Sequence, residues 1–137
     1  MIYWDTSAVI TLLAQGRMSE ISGATRPHAL AEFYARTTGK GFKASGRTVK
    51  LTPELAAQRV RDLRSRLDFV ELTAQETEQA LGDASKAGVL GGRTHDYLHF
   101  AAAKKINATT IYSFNEKDFP FSTIPVGPPP SPVGPAA

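Results

Sequence analysis

Apolar and polar positions along the chain fall into two alternating periods. Residues 2 to 5, Ile-Tyr-Trp-Asp, are a β-branched and aromatic run that reads as a short strand. Thr6-Ser7 then leads into the apolar run Ala8 to Leu13, which reads as a helix ending before Gly16. Gly16 to Pro27 carries no period, with Gly23 and Pro27 as breakers, and Leu30, Phe33 and Tyr34 restore helical spacing from His28 to Thr38. Thr52 and Pro53 supply a cap and a first-turn proline for a helix with the apolar stripe Ala56, Val60, Leu63 and Leu67. Asp68 to Leu72 reads as a second strand. Thr73 and Glu76 make a capping-box pattern, and the helix they open keeps Thr77, Leu81 and Ala84 on one side as far as Gly88. Thr94 reads as the N-cap of a last helix running to Lys105, with Leu98, Ala101, Ala102 and Ile106 on a wide apolar face and Phe100 and Ala103 beside it. Thr109 to Phe114 is a third strand. Strands alternating with helices predict an α/β domain around a mainly parallel sheet.

That reading places the acids. Asp5 falls at the carboxyl end of the first strand, and Asn115 and Asp118 follow the last, where open parallel sheets gather ligands and reacting groups. Asp96 lies in the first turn of an apolar helix, where the dipole favours a carboxylate but burial demands a proton, a cation or a metal beside it. Glu32 sits mid-helix beside Phe33. Each has an ordinary alternative as a cap, turn former or solvated acid. Gathered at one rim they would repel one another, and a hard divalent cation with oxygen ligands relieves such repulsion. His95 and His99 are spaced i, i+4, but no Glu follows the first, so a zincin site is not expected.

Composition narrows the chemistry. With 137 residues the chain is sized for one domain, and with no cysteine it has neither disulfides nor a thiolate metal site. A formal net charge of +3 is compatible with a nucleic-acid partner. The cations Arg36, Lys40, Lys43, Arg47 and Lys50 lie in a stretch with three glycines and no acid, which reads as a mobile basic connection. Arginines 59, 61, 64 and 66 flank both sides of their helix and read as solvated. No basic leader and no bilayer-length apolar span follow Met1, so a soluble, cytoplasmic protein without a membrane partner is expected. Residues 120 to 137 hold seven of the nine prolines and read as a Pro-rich tail, with a short edge strand near Ile124 to Val126.

Four motifs in order carry a family resemblance: Ile2 to Val9, Ala29 to Tyr34, Gly92 to Tyr97 with Ala101 to Ala103, and Ser113 to Phe119. Together they resemble the successive motifs of PIN-domain ribonucleases, most closely the VapC-type toxins of prokaryotic toxin–antitoxin pairs, over residues 1 to 119. The resemblance implies a three-layer α/β/α nuclease domain over that span. It also implies a metal-dependent endoribonuclease using Mg2+ or Mn2+, an RNA substrate, a cognate antitoxin and a homodimer. Asp5 and Asp96 would be the main metal ligands, Glu32 a further ligand, and Ser7 a hydroxyl near the metal. Either Asn115 or Asp118 would take the fourth position. From their charge and setting, Arg36, Lys40, Lys43, Arg47 and Arg93 are the expected phosphate contacts. The alternative is a catalytically inactive PIN fold serving as an RNA- or protein-binding module.

Overall fold

Tyr3 and Trp4 are neighbours on a strand, so they point to opposite faces of the sheet. Each is buried, at 0% and 2% exposure, in a different core. The computed structural model describes residues 1–132. In it β1 (Ile2–Trp4) lies at the centre of a five-stranded sheet, with β2 (Gly23–Thr25) and β5 (Leu67–Phe69) on one side, and β6 (Thr110–Tyr112) and β7 (Val126–Gly127) on the other. All four pairings are parallel, with Tyr3 level with Ala24 in β2 and with Ile111 in β6. Tyr3 and Ile111 pack with α4 (Ala74–Lys86) and α5 (Arg93–Lys105). Trp4 packs with Leu12 of α1 (Thr6–Ala14), Phe33 of α2 (Pro27–Thr38) and Leu63 of α3 (Pro53–Arg66). The result is the expected three-layer α/β/α arrangement.

The order β5-β2-β1-β6-β7 means that the chain leaves β1 toward one edge and returns beyond it through β6. Such a reversal opens a crevice at the carboxyl ends of the two central strands. Asp5 follows β1 and Ser113 follows β6, so both stand at that crevice.

Several local expectations change. The stretch expected to be irregular contains β2, whose Gly-Ala-Thr sequence has little side chain to signal a strand; it is held by β1, by β5 and by Thr25 Oγ1, which donates to the Trp4 carbonyl at 2.8 Å. The stretch expected to be a mobile connection folds into the antiparallel hairpin β3 (Phe42–Ala44) and β4 (Arg47–Val49). Its two-residue turn, Ser45-Gly46, has positive φ at both positions, the conformation that matches strand twist in tight hairpins. Helix α5 begins at Arg93 after Gly92, and Thr94 makes no side-chain cap; Asp96 nevertheless stays in the first turn. The buried positions of α5 are Tyr97, His99, Phe100, Ala102 and Ala103, with Leu98 and Ala101 only partly covered. By contrast Thr52 caps α3, and the Thr73–Glu76 capping box is complete.

The Pro-rich segment expected from 120 to 137 falls within the described residues only as far as 132. Up to β7 it is tied to the domain: Phe121 meets Tyr97 at 4.8 Å and Phe100 at 5.6 Å between ring centroids, and Ile124 and Val126 pack on the same core.

Gly23 has φ of +126°, and a Cβ placed there would collide with the Ile2 carbonyl oxygen. Gly23→Ala is therefore expected to cost about 2–4 kcal/mol through strain and displaced strand pairing. A lowered urea midpoint at unchanged slope would report it; an unchanged midpoint would mean that β1 and β2 do not approach this closely.

Candidate active site at the carboxyl rim

Asp5 is the best-held acid. It follows β1 with an extended backbone and serves as N-cap of α1, Oδ1 accepting from the Thr6 backbone N–H at 2.9 Å. Oδ2 accepts from Ser113 Oγ at 2.7 Å and from Ser7 Oγ at 3.0 Å. Its backbone N–H donates to the Tyr112 carbonyl, locking the position to β6. Glu32 reaches in from α2. Its Oε1 accepts from Thr6 Oγ1 at 3.1 Å and contacts His99 Nε2 at 3.0 Å. His99 is only 1% exposed, and its Nδ1 meets the Tyr3 hydroxyl at 2.6 Å. A neutral imidazole satisfies both contacts when Nε2–H donates to Glu32 and Nδ1 accepts from Tyr3.

Asp96 differs from both. Its carboxylate accepts no hydrogen bond and joins no ion pair among the described residues. Desolvation raises its pKa to about 6, and the negative charges of Asp5, Asp118 and Glu32 add to the rise. Burial pushes Glu32 upward too, but His99, His28 and Thr6 outweigh it and hold Glu32 below the usual carboxylate range. Burial drives Tyr3 well above its ordinary value, with Arg26 opposing. Arg26 follows β2 on the same rim, and its Nε and Nη1 are buried without a hydrogen-bond partner among the described residues.

Asp5, Glu32, Asp96 and Asn115 line one cleft of about 500 Å3, together with Ser7, Arg36 and Lys40. Asp118 and Arg93 lie apart from it, lining a neighbouring cavity that they share with Asp96. Asn115 is thus in the cleft, whereas Asp118 acts on Asp96 from the other side. Among the described residues no three His, Asp or Glu side chains stand close enough to make a finished metal cage. The donor set still suits Mg2+ or Mn2+, which take one or two carboxylates and complete their shell with water and substrate phosphate. Among the described residues, both oxygens of Asp96 and Oε2 of Glu32 accept no hydrogen bond and could serve such an ion.

Sequence reasoning assigned no part to Ser113, Tyr3 or His99, which hold Asp5 and Glu32 in place. The only signal for His99 was its position one turn beyond Asp96. It does not converge with His95, which stacks on His28 at 5.7 Å.

No family model matches the chain, and no curated protein matches it. Solved structures do. VapBC-1 from nontypeable Haemophilus influenzae is similar at a TM-score of 0.62 and 18% identity, over 93% of this chain and 98% of that one. VapBC2 from Rickettsia felis, bound to a DNA fragment from their promoter, is similar at 0.61 and 19%, over 92% and 97%. The chain shares the fold of these structures, a PIN-like three-layer α/β/α arrangement. Within the PIN-like fold of this chain, the acid-lined cleft opens at the crevice between β1 and β6.

The raised pKa of Asp96 has a consequence for stability. The native state holds this proton more tightly than the unfolded chain, so its contribution is favourable below the unfolded value near 4 and is lost as pH rises through about 6. Asp96→Asn is therefore expected to stabilise the metal-free protein above pH 6, by about 1 kcal/mol once solvent screening of this half-exposed group is allowed for. Thermal unfolding across pH 4 to 8 in EDTA checks this: the gap should close toward pH 4. A constant gap would mean that neither burial nor the neighbouring acids raise the pKa of Asp96.

Proposed function

We propose that this protein is a divalent-metal-dependent endoribonuclease and the toxin of a toxin–antitoxin pair. The observation that carries the reading is the Asp96 carboxylate, without a partner among the described residues, lining one cleft with Asp5 and Glu32 and destabilised first by burial and then by neighbouring negative charge. Acids held in mutual repulsion without an internal cation are suited to an external one. Asp5 and Asp96 would hold the metal, with Glu32 as a further ligand, directly or through water. Such an ion supplies Lewis acidity toward a phosphoryl oxygen and makes water acidic enough to act as a nucleophile near neutral pH.

The chain's own residues do the rest. Thr6 and His99 fix Oε1 of Glu32, leaving Oε2 to orient the attacking water and accept its proton. Ser7 and Ser113 hold Asp5 in one orientation, so the ligand set needs little reorganisation on binding. Arg36 and Lys40, exposed at the edge of the cleft, would take phosphates on either side of the scissile bond, and Arg93 would serve the neighbouring cavity. Water adds to phosphorus, and the 3′-oxygen leaves with a proton, giving a 5′-phosphate and a 3′-hydroxyl. The likeness to VapBC structures supports an antitoxin partner, whose binding would close the cleft.

The test is cleavage of total RNA by the purified protein with Mg2+, with Mn2+ and with EDTA. Metal-dependent endonucleolytic cuts are expected, falling about 100-fold or more in Asp96→Asn as several kcal/mol of charge stabilisation are lost. A second readout needs no activity. Saturating Mn2+ should raise the unfolding temperature of the parent, by about 2.7 kcal/mol of stability at a hundredfold excess over its Kd, and should barely move that of Asp96→Asn. Folded protein that neither cleaves nor responds to metal would move the assignment to a binding module.

A further inference from the structure

The acid-lined cleft continues along α1 toward the β3–β4 hairpin as a groove of about 510 Å3. The two share Ser7, Ile10, Arg36 and Asn115, so they form one continuous depression. Phe114 lines the groove, next in sequence to Asn115, which the groove shares with the cleft. It is 47% exposed, belongs to neither core cluster and makes no ring–ring contact with the described residues. Nor is its backbone loosely placed. Its N–H donates to Ser7 Oγ at 3.1 Å, and the same hydroxyl donates to Oδ2 of Asp5. The hydrogen-bond network that orients Asp5 thus also fixes the start of an exposed aromatic ring. A ring exposed in a groove that cations also line is a surface on which a flat apolar face with charge around it can stack.

The facing wall supplies the charge. Arg36 and Lys43 line the groove, and Lys40, Arg47 and Lys50 follow on the same connection. None of the five has an acidic partner among the described residues. Two are braced by neutral groups, Arg36 Nε donating to the Gly41 carbonyl and Lys43 Nζ to Thr48 Oγ1. The hairpin turn makes this cationic wall a defined structure.

We propose that Phe114 is a stacking platform for an unpaired base, so that the groove between α1 and the hairpin takes single-stranded RNA immediately beside the scissile phosphate. This rests on the ribonuclease reading above and adds to it the residue on which a base beside the cut stacks and the groove that takes the strand. An unpaired base offers its π-face to the ring while the hairpin cations follow the backbone. A duplex keeps its bases stacked on one another and has no face to give.

The experiment measures equilibrium binding of a fluorescent mixed-sequence RNA, single-stranded and annealed to its complement. It is run in EDTA, and again with Mg2+ on an Asp96→Asn background, so no readout depends on cleavage. Phe114→Ala and Phe114→Leu should weaken single-strand binding by roughly 5- to 100-fold, the range expected for losing one base–aromatic stack. Phe114→Trp should retain it, and duplex binding should not respond to any of the three. Retention by Leu would mean that bulk rather than stacking matters and would overturn the proposal. So would unchanged binding in Phe114→Ala, or no single-strand binding by the parent in either condition. Loss of antitoxin binding in Phe114→Ala with RNA binding intact would assign the ring to a protein contact instead. Intact, Phe114-dependent binding without metal-dependent cleavage would sink the nuclease reading and leave this one standing; cleavage indifferent to Phe114 would do the reverse.

Discussion

The rim of this molecule depends on the way Asp5 is tethered. One carboxylate, at the end of β1, reaches two other parts of the chain: the start of α1 through the Thr6 and Ser7 donors, and the end of β6 through Ser113. Because its backbone also pairs with Tyr112, the two central strands cannot slide without breaking bonds at the site. Hydrogen bonds to a charged acceptor are stronger than neutral ones, so this single group ties the reacting end of the sheet to its neighbours. Local structure and chemistry therefore share the same atoms.

A second layer acts on Glu32. Tyr3 and His99 are both buried, and they form a line from the core beneath the sheet to the cleft. Buried polar side chains are tolerated when each is satisfied, and this line satisfies itself only if Glu32 completes it. Glu32 is thereby held below the usual carboxylate range while Asp96, with no donor, is pushed above it. Two acids in one cleft are thus separated by their environments, one held charged and the other disfavoured as a carboxylate, the kind of divergence that the proposed hydrolytic site would use.

The fold class was legible from alternation of period alone, and the capped helices most of all, because Thr52-Pro53 and Thr73 with Glu76 are local signals that tertiary packing did not override. Strand β2 was not, since three small residues carry no period and owe their conformation to neighbours distant in sequence. The hairpin was missed for another reason. Its turn residues Ser45 and Gly46 were in view, but the flanking strands are only three residues each and rich in cations. At the site, Asp5, Glu32, Asp96 and Asn115 were legible by position and do line one cleft. Their supports were not. Ser113 and Tyr3 lie at strand positions whose facing partners only the sheet register reveals, and His99 takes its meaning from two residues far away in the chain.

Charge in this protein is sorted in space. The acids line the β1–β6 crevice, while cations without an acidic partner among the described residues stand at its edge and on the adjoining hairpin, so the net charge of +3 is unevenly spread. A polyanion is drawn to the hairpin and repelled by the crevice. In the absence of a cation, RNA would then dock along the basic wall with its phosphates kept off the acids, and neutralising the acids would remove that barrier. Because linkage is reciprocal, whatever metal affinity the acids possess must rise when a phosphate supplies another oxygen ligand, and RNA affinity must rise by the same factor when the metal is present. On the proposed function, this separation of charge would make metal and RNA cooperative ligands with no change of fold required.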